Sequence, residues 1–596
     1  MWAPAVDKLW LRVMGPHEQL IPMRPLARGY FSTAVDGLQA GALYKFRLED
    51  DREVPDPASR SQPEGPHGPS QVVSEEFVWN DEAWRGLALA EHVFYEIHAG
   101  TFTPEGTLDA IIPRLDELRD LGITAIELMP VAQFPGARNW GYDGTFPFAV
   151  HDSYGGAAAL KRLVNACHKR SLAVTLDVVY NHLGPEGNYL HAFGPYFTKR
   201  YHTPWGEALN FDGAHSDEVR RYFIENALMW VTEFHVDALR LDAIHAIYDF
   251  SAQPFLTELT AAVHARAAEL GRRIYVFPES DLNDARHVLP RERGGFAMDA
   301  QWNDDFHHAL HTLLTGERAG YYEDFGDARS LARAVQEGFV FQGEYSRYRR
   351  RRHGSTSSEI PPGRLIVCSQ NHDQVGNRLL GERLSSLVDF ESLKLAAATV
   401  LLSPNLPLLF MGEEYGEPAP FQYFVSHTDA ELVEAVRKGR AEEFARFDWQ
   451  SEVPDPQAEE TFARCRLHWE LRKQGKHGIL LAFYRELLRM RRELAPLRNL
   501  ARGSIRTDYR EEPPLLEVHR DASGERLLVF LHFGRETARV GITPPAGDWT
   551  KLLDSAEPRW QGLGSLLPES LRGAAATQLF FAPRSVALYR SQESGS

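Results

Sequence analysis

The spacing of apolar residues changes character twice along the chain. Up to about residue 85 it alternates. In ALYKFRL, Tyr44, Phe46 and Leu48 fall on one face and Lys45 and Arg47 on the other, the two-residue period of a half-buried strand. PDPASRSQPEGPHGPS (55–70) is dense in Pro, Gly and Ser and reads as extended or looped. From about residue 88, short β-rich runs alternate with long helical stretches. The runs are VFYEI (93–97), TAIEL (124–128), LAVTLDV (172–178), VDALRL (236–241), IYVFPE (274–279), FAMDAQW (296–302), RLIVCSQ (364–370) and LPLLFMG (406–412). Helical patterns lie between them, as at 107–121 and 217–234. Eight strand-then-helix units predict an α/β fold, a parallel sheet closed into a (β/α)8 TIM barrel. No GxGxxG follows the first run, so nothing favours a dinucleotide-binding sheet. Beyond the helix 479–494, Pro496 ends this region, and LLEVHR, RLLVFLHF and SVALYR again read as strands. The expected organisation is an N-terminal β-sandwich (1–87), a barrel (88–495) and a C-terminal β-sandwich (496–596).

Composition narrows the possible partners. A net charge of -17 argues against nucleic acid, which favours a basic face, and is easily reconciled with a neutral substrate. Cys167, Cys368 and Cys465 are odd in number and form no CxxC pair, so buried thiols of a reducing, cytoplasmic environment are expected. MWAPAVDKLW has no basic stretch leading into an apolar one, and no signal peptide is expected. No apolar run reaches about 18 residues, which excludes a transmembrane helix.

Candidate chemistry gathers where barrel enzymes keep theirs, at the C-terminal ends of strands. The third run ends in Asp177-Val-Val-Tyr-Asn181-His182, the fourth carries Arg240, Asp242 and then His245, the fifth ends in Glu279, and the seventh runs into Asn371-His372-Asp373. Arg240 and Asp242 are two apart and share a strand face. A guanidinium there favours an ionised, oriented carboxylate, which suits attack on an anomeric carbon. Glu279 follows an apolar run without a cation beside it in sequence, so it can keep a proton. Two carboxyl groups pushed apart in this way are the division of labour of a glycosidase, with Asp242 as nucleophile and Glu279 as acid/base. Trp140 and Tyr142, after the second run, are flat rings suited to stacking on a sugar. No CxxC pair or mixed His/Cys array stands at zinc spacing, so neither metal nor cofactor is expected.

DVVYNH, ALRLDAIH, the acid of FPES, and SQNHDQ, in that order, resemble the four blocks of the α-amylase superfamily of glycoside hydrolases over roughly residues 90–490. The resemblance implies Asp373 as a third essential carboxylate that grips and distorts the sugar. It also implies that Asp177 supports Arg240, and that His182, His372 and Tyr142 line the same subsite. PDPASRSQPEGPHGPS, FYEIHAGTFTPEGT, ELMPVAQFPGARNWGYDG, NHLGPEGNYL, ESDLND, DAQWNDDFHHALH and LLFMGEEYGE are similar to the trehalohydrolase branch of that superfamily. That branch hydrolyses the α-1,4 bond next to the terminal trehalose of maltooligosyltrehalose, a substrate supplied by maltooligosyltrehalose synthase. On this reading the leaving trehalose is expected near Asp281, Asn283, Asp284, Trp302, Asn303 and His307. The alternative for DLND is a helix N-terminal cap. The first sandwich is expected to lack its opening strand, because the chain starts almost at WAP. Rival readings are a glucan branching enzyme and a non-catalytic glucan-binding protein.

Overall fold

A computed structural model describes residues 1–15, 18–74, 76–444 and 453–592. The eight strands form one parallel sheet: β1 (Phe94–Ile97), β2 (Ala125–Leu128), β3 (Ala173–Val178), β4 (Ala238–Leu241), β5 (Tyr275–Pro278), β6 (Gln301–Trp302), β7 (Leu365–Val367) and β8 (Leu406–Phe410). Their spatial order is β5-β4-β3-β2-β1-β8-β7-β6, which brings β5 and β6 to the seam of a closed barrel. The expected sixth strand shortens to two residues for a local reason. Ala297 takes a positive φ of 59°, and Asp299 makes the seam itself. Its N–H donates to the Val276 carbonyl (2.9 Å), while its carboxylate accepts from the Val276 N–H (2.8 Å).

Alternate side chains of these strands fill the interior. At the bottom, small Ala125, Ala173, Ala238 and Ala300 leave room for Phe94 and Phe277, whose rings meet edge to face at 5.5 Å. Higher up, register matters. Asp177 pairs with Arg240, and Arg240 with Phe277. One step on, the ladder continues through Asp242 N–H to Val178 O (3.1 Å) and Glu279 N–H to Leu241 O (2.9 Å). Asp242 and Glu279 therefore end neighbouring strands side by side.

The helical patterns form largely as expected. Ser216–Glu233 is one helix, whereas 107–121 is broken by a 3-10 turn containing Pro113. Ahead of the barrel, a five-stranded antiparallel sheet holds Trp10–Met14 and Leu43–Arg47, with Phe46 and Leu48 buried. The 55–70 segment is loop fixed by buried hydrogen bonds, Ser59 and Ser70 both donating to Gln62 Oε1 (2.7 and 2.8 Å). Beyond the barrel, Pro514–Ala522, Glu525–His532 and Ser585–Gln592 are neighbours in a six-stranded antiparallel sheet. A separate apolar cluster around Leu528, Phe530, Trp549 and Tyr589 lies within this region. The expected helix spans Gly475–Glu493 and ends just before Pro496, which sits in the first turn of the short helix Ala495–Arg498. The three cysteines are free and buried, and no described helix is long and apolar enough to cross a membrane.

Asp299→Ala would leave the Val276 N–H without its side-chain acceptor, a loss of about 1–3 kcal/mol. The midpoint of the barrel's thermal transition is expected to fall accordingly, as read by calorimetry. An unchanged midpoint would remove Asp299 from the seam.

Candidate active site

The strand ends open into a cleft of about 820 Å³. Asp242, Glu279 and Asp373 all line it, with Trp140, Tyr142, His182, His245 and Asp281. Beneath them, Arg240 is fully buried. Its Nη1 donates to Asp177 Oδ2 and to Asp242 Oδ1, both at 2.8 Å, and its Nη2 lies 3.6 Å from Glu279 Oε2. Trp302 supports the guanidinium with its ring centroid 4.5 Å away. A cation absent from Glu279's neighbourhood in sequence is thus present in space, brought by the β4–β5 register. Glu279 is nevertheless raised above the usual carboxyl range. Burial is the largest cause, Arg240 opposes it, and Asp242 adds to it.

Asp242 is held from two sides. Besides Arg240, Asn181 Nδ2 donates to its Oδ2 (2.7 Å) and to its carbonyl (2.8 Å). Ala243 then turns with φ 40° and ψ 50°, a left-handed conformation that costs a non-glycine residue roughly 1–2 kcal/mol. That turn aims the Ala243 N–H at Glu279 Oε2 (2.6 Å). The same strained residue therefore follows one carboxylate and orients the other.

His372 anchors the opposite wall. Its Nδ1–H donates to Glu96 Oε1 (2.5 Å) and its backbone N–H to Glu96 Oε2 (2.9 Å). Its Nε2–H faces the Tyr142 hydroxyl at 2.7 Å, and Tyr142 in turn donates to Asp177 Oδ2 (2.6 Å). Asp373 Oδ2 is 3.4 Å from Nε2. Burial alone would lower the imidazole, but Asp373 and Glu96 outweigh it and raise His372 to about 9. His182 lies at the rim, its Nε2–H directed at the Tyr142 carbonyl (3.0 Å), and Trp205 stacks flat on it at 4.4 Å.

The residues expected around the leaving unit divide. Asp281 lines the cleft and pairs with Arg349 at 2.8 Å. Asn283, Trp302, Asn303 and His307 are buried and do not line it. Asn283 donates to Asp305 (2.7 Å) and Asn303 to the Gly338 carbonyl (2.9 Å), while Trp302 supports Arg240. His307 packs its Nδ1 against that of His308 (3.1 Å). Asp284 caps the turn 285–287, accepting from the Arg286 N–H (2.9 Å), so the capping alternative for DLND describes that residue. Asp177, Arg240 and His372 likewise sit under the cleft surface. In their place the structure brings in Asp304, His308, Tyr321, Tyr348 and Arg349, and on the far side Tyr423 and Arg440. Asp304 directly follows Asn303 and was within reach of a strand-end argument. His308 stands one helical turn beyond Asp304 in the helix Asp304–Thr315, and the others belong to excursions with no local signature.

Two charged partners should make His372 visible in solution. Its folded value exceeds the ordinary 6.5, so the stability it contributes is fully present below that pH and lost as pH rises through about 9. Histidine-selective NMR is expected to find that titration, and Glu96→Gln to move it lower. An imidazole that titrates at its ordinary value in the intact protein would refute the Glu96 pairing.

Known proteins resemble this chain in sequence and fold. The family profile for the alpha amylase catalytic domain matches residues 69–203. A malto-oligosyltrehalose trehalohydrolase from Saccharolobus solfataricus is 47% identical over 493 residues, 83% of this chain and 84% of its own. The crystal structure of a candidate alpha amylase from Salmonella typhimurium superposes with a TM-score of 0.89 at 40% identity, covering 99% of this chain and 97% of that one. A 1,4-alpha-glucan branching enzyme from Pseudoalteromonas atlantica matches at only 23% identity over 91% of this chain and 73% of its own. The chain belongs to the malto-oligosyltrehalose trehalohydrolase family of alpha-amylase-type glycoside hydrolases.

Proposed function

We propose that this protein is a retaining hydrolase that cleaves the α-1,4 bond beside the terminal trehalose of maltooligosyltrehalose, releasing trehalose and a maltooligosaccharide. The observation that carries the chemistry is the register of β4 and β5. It sets Asp242 and Glu279 on adjacent strand ends, and adjacent strands lie about 4.8 Å apart. Retaining glycosidases need carboxyl groups ~5–5.5 Å apart, inverting ones ~6.5–9.5 Å.

In the first step Glu279, kept protonated by burial, gives its proton to the leaving glycosidic oxygen. Asp242, oriented by Arg240 and Asn181, attacks the anomeric carbon and forms a glycosyl ester. In the second step Glu279, now ionised, takes a proton from water as the water attacks the ester, restoring the α configuration. Asp373 grips the distorted sugar. Tyr142, His182 and Trp140 shape its subsite from the cleft wall, while Asp177, Arg240 and His372 act from beneath. Asp281 and His245 face the leaving trehalose, and Asn283, Asp284, Trp302, Asn303 and His307 support that side from behind. Among the described residues no group of three or more His, Cys, Asp or Glu side chains could hold a metal, and no step here calls for one.

The same reading divides the chain into a sandwich (1–87), the catalytic barrel (88–495) and a second sandwich (496–596). It places the protein in the cytoplasm, downstream of a maltooligosyltrehalose synthase. Family membership favours hydrolysis over branching, and the intact carboxylate set favours catalysis over simple glucan binding.

The deciding assay compares trehalose release from maltooligosyltrehalose with glucose and oligosaccharide release from a plain maltooligosaccharide. Trehalose is expected from the first at the higher kcat/KM. Amylose whose iodine colour shifts without any trehalose release would instead indicate branching. Glu279→Gln is expected to lower kcat by at least about 10²-fold, and Asp242→Ala to abolish turnover. Wild-type turnover by Asp242→Ala would sink the mechanism.

A further inference from the structure

The mouth of the barrel divides into two arcs. β4, β5 and β6 are consecutive, with Glu279 on the middle strand of the three. Because Glu279 protonates the leaving oxygen, the leaving unit lies over this arc, beside His245, Asp281 and Asp304. The retained glucan must extend the other way, over the loops that follow β7, β8 and β2. The cleft continues there without a break, lined by Asn377, Tyr423, Val436, Gly439 and Arg440.

Three of these residues come from one helix, Ala430–Phe444. Asp429 caps it, accepting from the Leu432 N–H (2.9 Å). Val436, Gly439 and Arg440 stand at i, i+3 and i+4, so they share one face, and that face is turned to the cleft. Contacts fix the helix to the site. Arg440 lies 4.9 Å from the Tyr423 ring centroid and donates to the Gly376 carbonyl (3.3 Å). Tyr423 meets Trp140 edge to face at 5.2 Å, and a Cβ on Gly376 would collide with Trp140 at 2.1 Å. On the helix's other flank, Arg437 pairs with Asp455 (2.8 Å).

Gly439 is the informative residue. Glycine is the poorest helix former after proline, yet it stands inside this helix on the face that borders the cleft. Among the described residues, a Cβ added there would meet nothing within 4 Å, and its φ lies outside the left-handed region that requires glycine. Neither backbone geometry nor packing against the described residues explains it. Space for a ligand against the helix backbone does.

We propose that the helix Ala430–Phe444 forms a binding surface for the retained glucan, with sugar rings lying against Gly439 beside the Arg440–Tyr423 pair. This surface makes turnover depend on the length of the maltooligosyl arm. The inference rests on the trehalose-releasing reading for which end of the substrate lies here. A side chain at Gly439 obstructs a long arm and leaves a short one free.

The experiment measures kcat and KM of Gly439→Trp and Arg440→Ala on glucosyltrehalose and maltopentaosyltrehalose, with Gly439→Ala as a control for helix stability. The expected result is a loss of about tenfold in kcat/KM on the long substrate, through KM, against less than about threefold on the short one. Equal losses on both substrates, or none on the long one, would overturn the proposal. Should the wild type release no trehalose, the reaction assignment fails by itself. The same variants are then compared on maltotriose and maltoheptaose, where a selective loss on the longer sugar still supports the helix surface and its absence removes it.

Discussion

A guanidinium with no exposed surface must be neutralised by the protein around it, and in this barrel the geometry of that neutralisation is also the geometry of the site. Arg240 faces Asp177 and Asp242 through one nitrogen and Glu279 through another, with the Trp302 ring beneath. Losing one partner of such a buried arrangement typically costs about 3–5 kcal/mol, because the remaining charge is stranded. The carboxylates therefore cannot relax away from their positions cheaply. Stability and orientation rest on the same contacts, which keep the Asp242 carboxylate still.

This constraint orders the barrel vertically. The lower layer is built from alanines and phenylalanines that only pack, and it sets strand spacing and register. The layer above converts register into chemistry. A slip by one residue between β4 and β5 would turn Asp242 and Glu279 to opposite faces, since side chains alternate along a strand. Ala243 adds a second lock. Its left-handed turn is unfavourable on its own and persists because its N–H reaches Glu279 while the Ile244 N–H reaches the Glu279 carbonyl (3.1 Å). Strain of this kind at a site is sustained by the surrounding ladder.

The sequence was readable wherever chemistry follows a local period. Eight apolar runs separated by helices specify the barrel, and residues two apart on a strand place Arg240 with Asp242. What crossed between strands was harder. The proximity of Arg240 to Glu279 depends on a register that no local pattern displays. Within one motif the outcome also split, because ESDLND supplies both a cleft residue, Asp281, and a turn cap, Asp284. Adjacency in sequence suggests one shared surface, but the backbone turns between these residues, with Asn283 itself at φ 53°. Tyr348, Arg349, Tyr423 and Arg440 arrive from excursions whose sequences resemble any solvated loop or helix, so only tertiary structure brings them to the cleft.

The two arcs of the cleft differ in chemistry in a way that matches the two products of the proposed reaction. Over the leaving side, His245, Asp281, Asp304 and Arg349 present directional groups, with Asp281 and Arg349 held together by an ion pair. A site built to hydrogen-bond particular hydroxyls rejects a ligand that lacks them, since its own buried polar groups are then left unpaired. That is a suitable wall for a disaccharide of one size and shape. Over the retained side, Trp140, Tyr423, Arg440 and the bare backbone at Gly439 offer flat or open surface, which contributes binding without demanding one arrangement of hydroxyls. Such a wall suits a chain of repeating units whose length varies. In the proposed reaction, discrimination is concentrated where the product is fixed and tolerance where it is not, and the proposed reacting pair, Asp242 and Glu279, stands at the boundary between them.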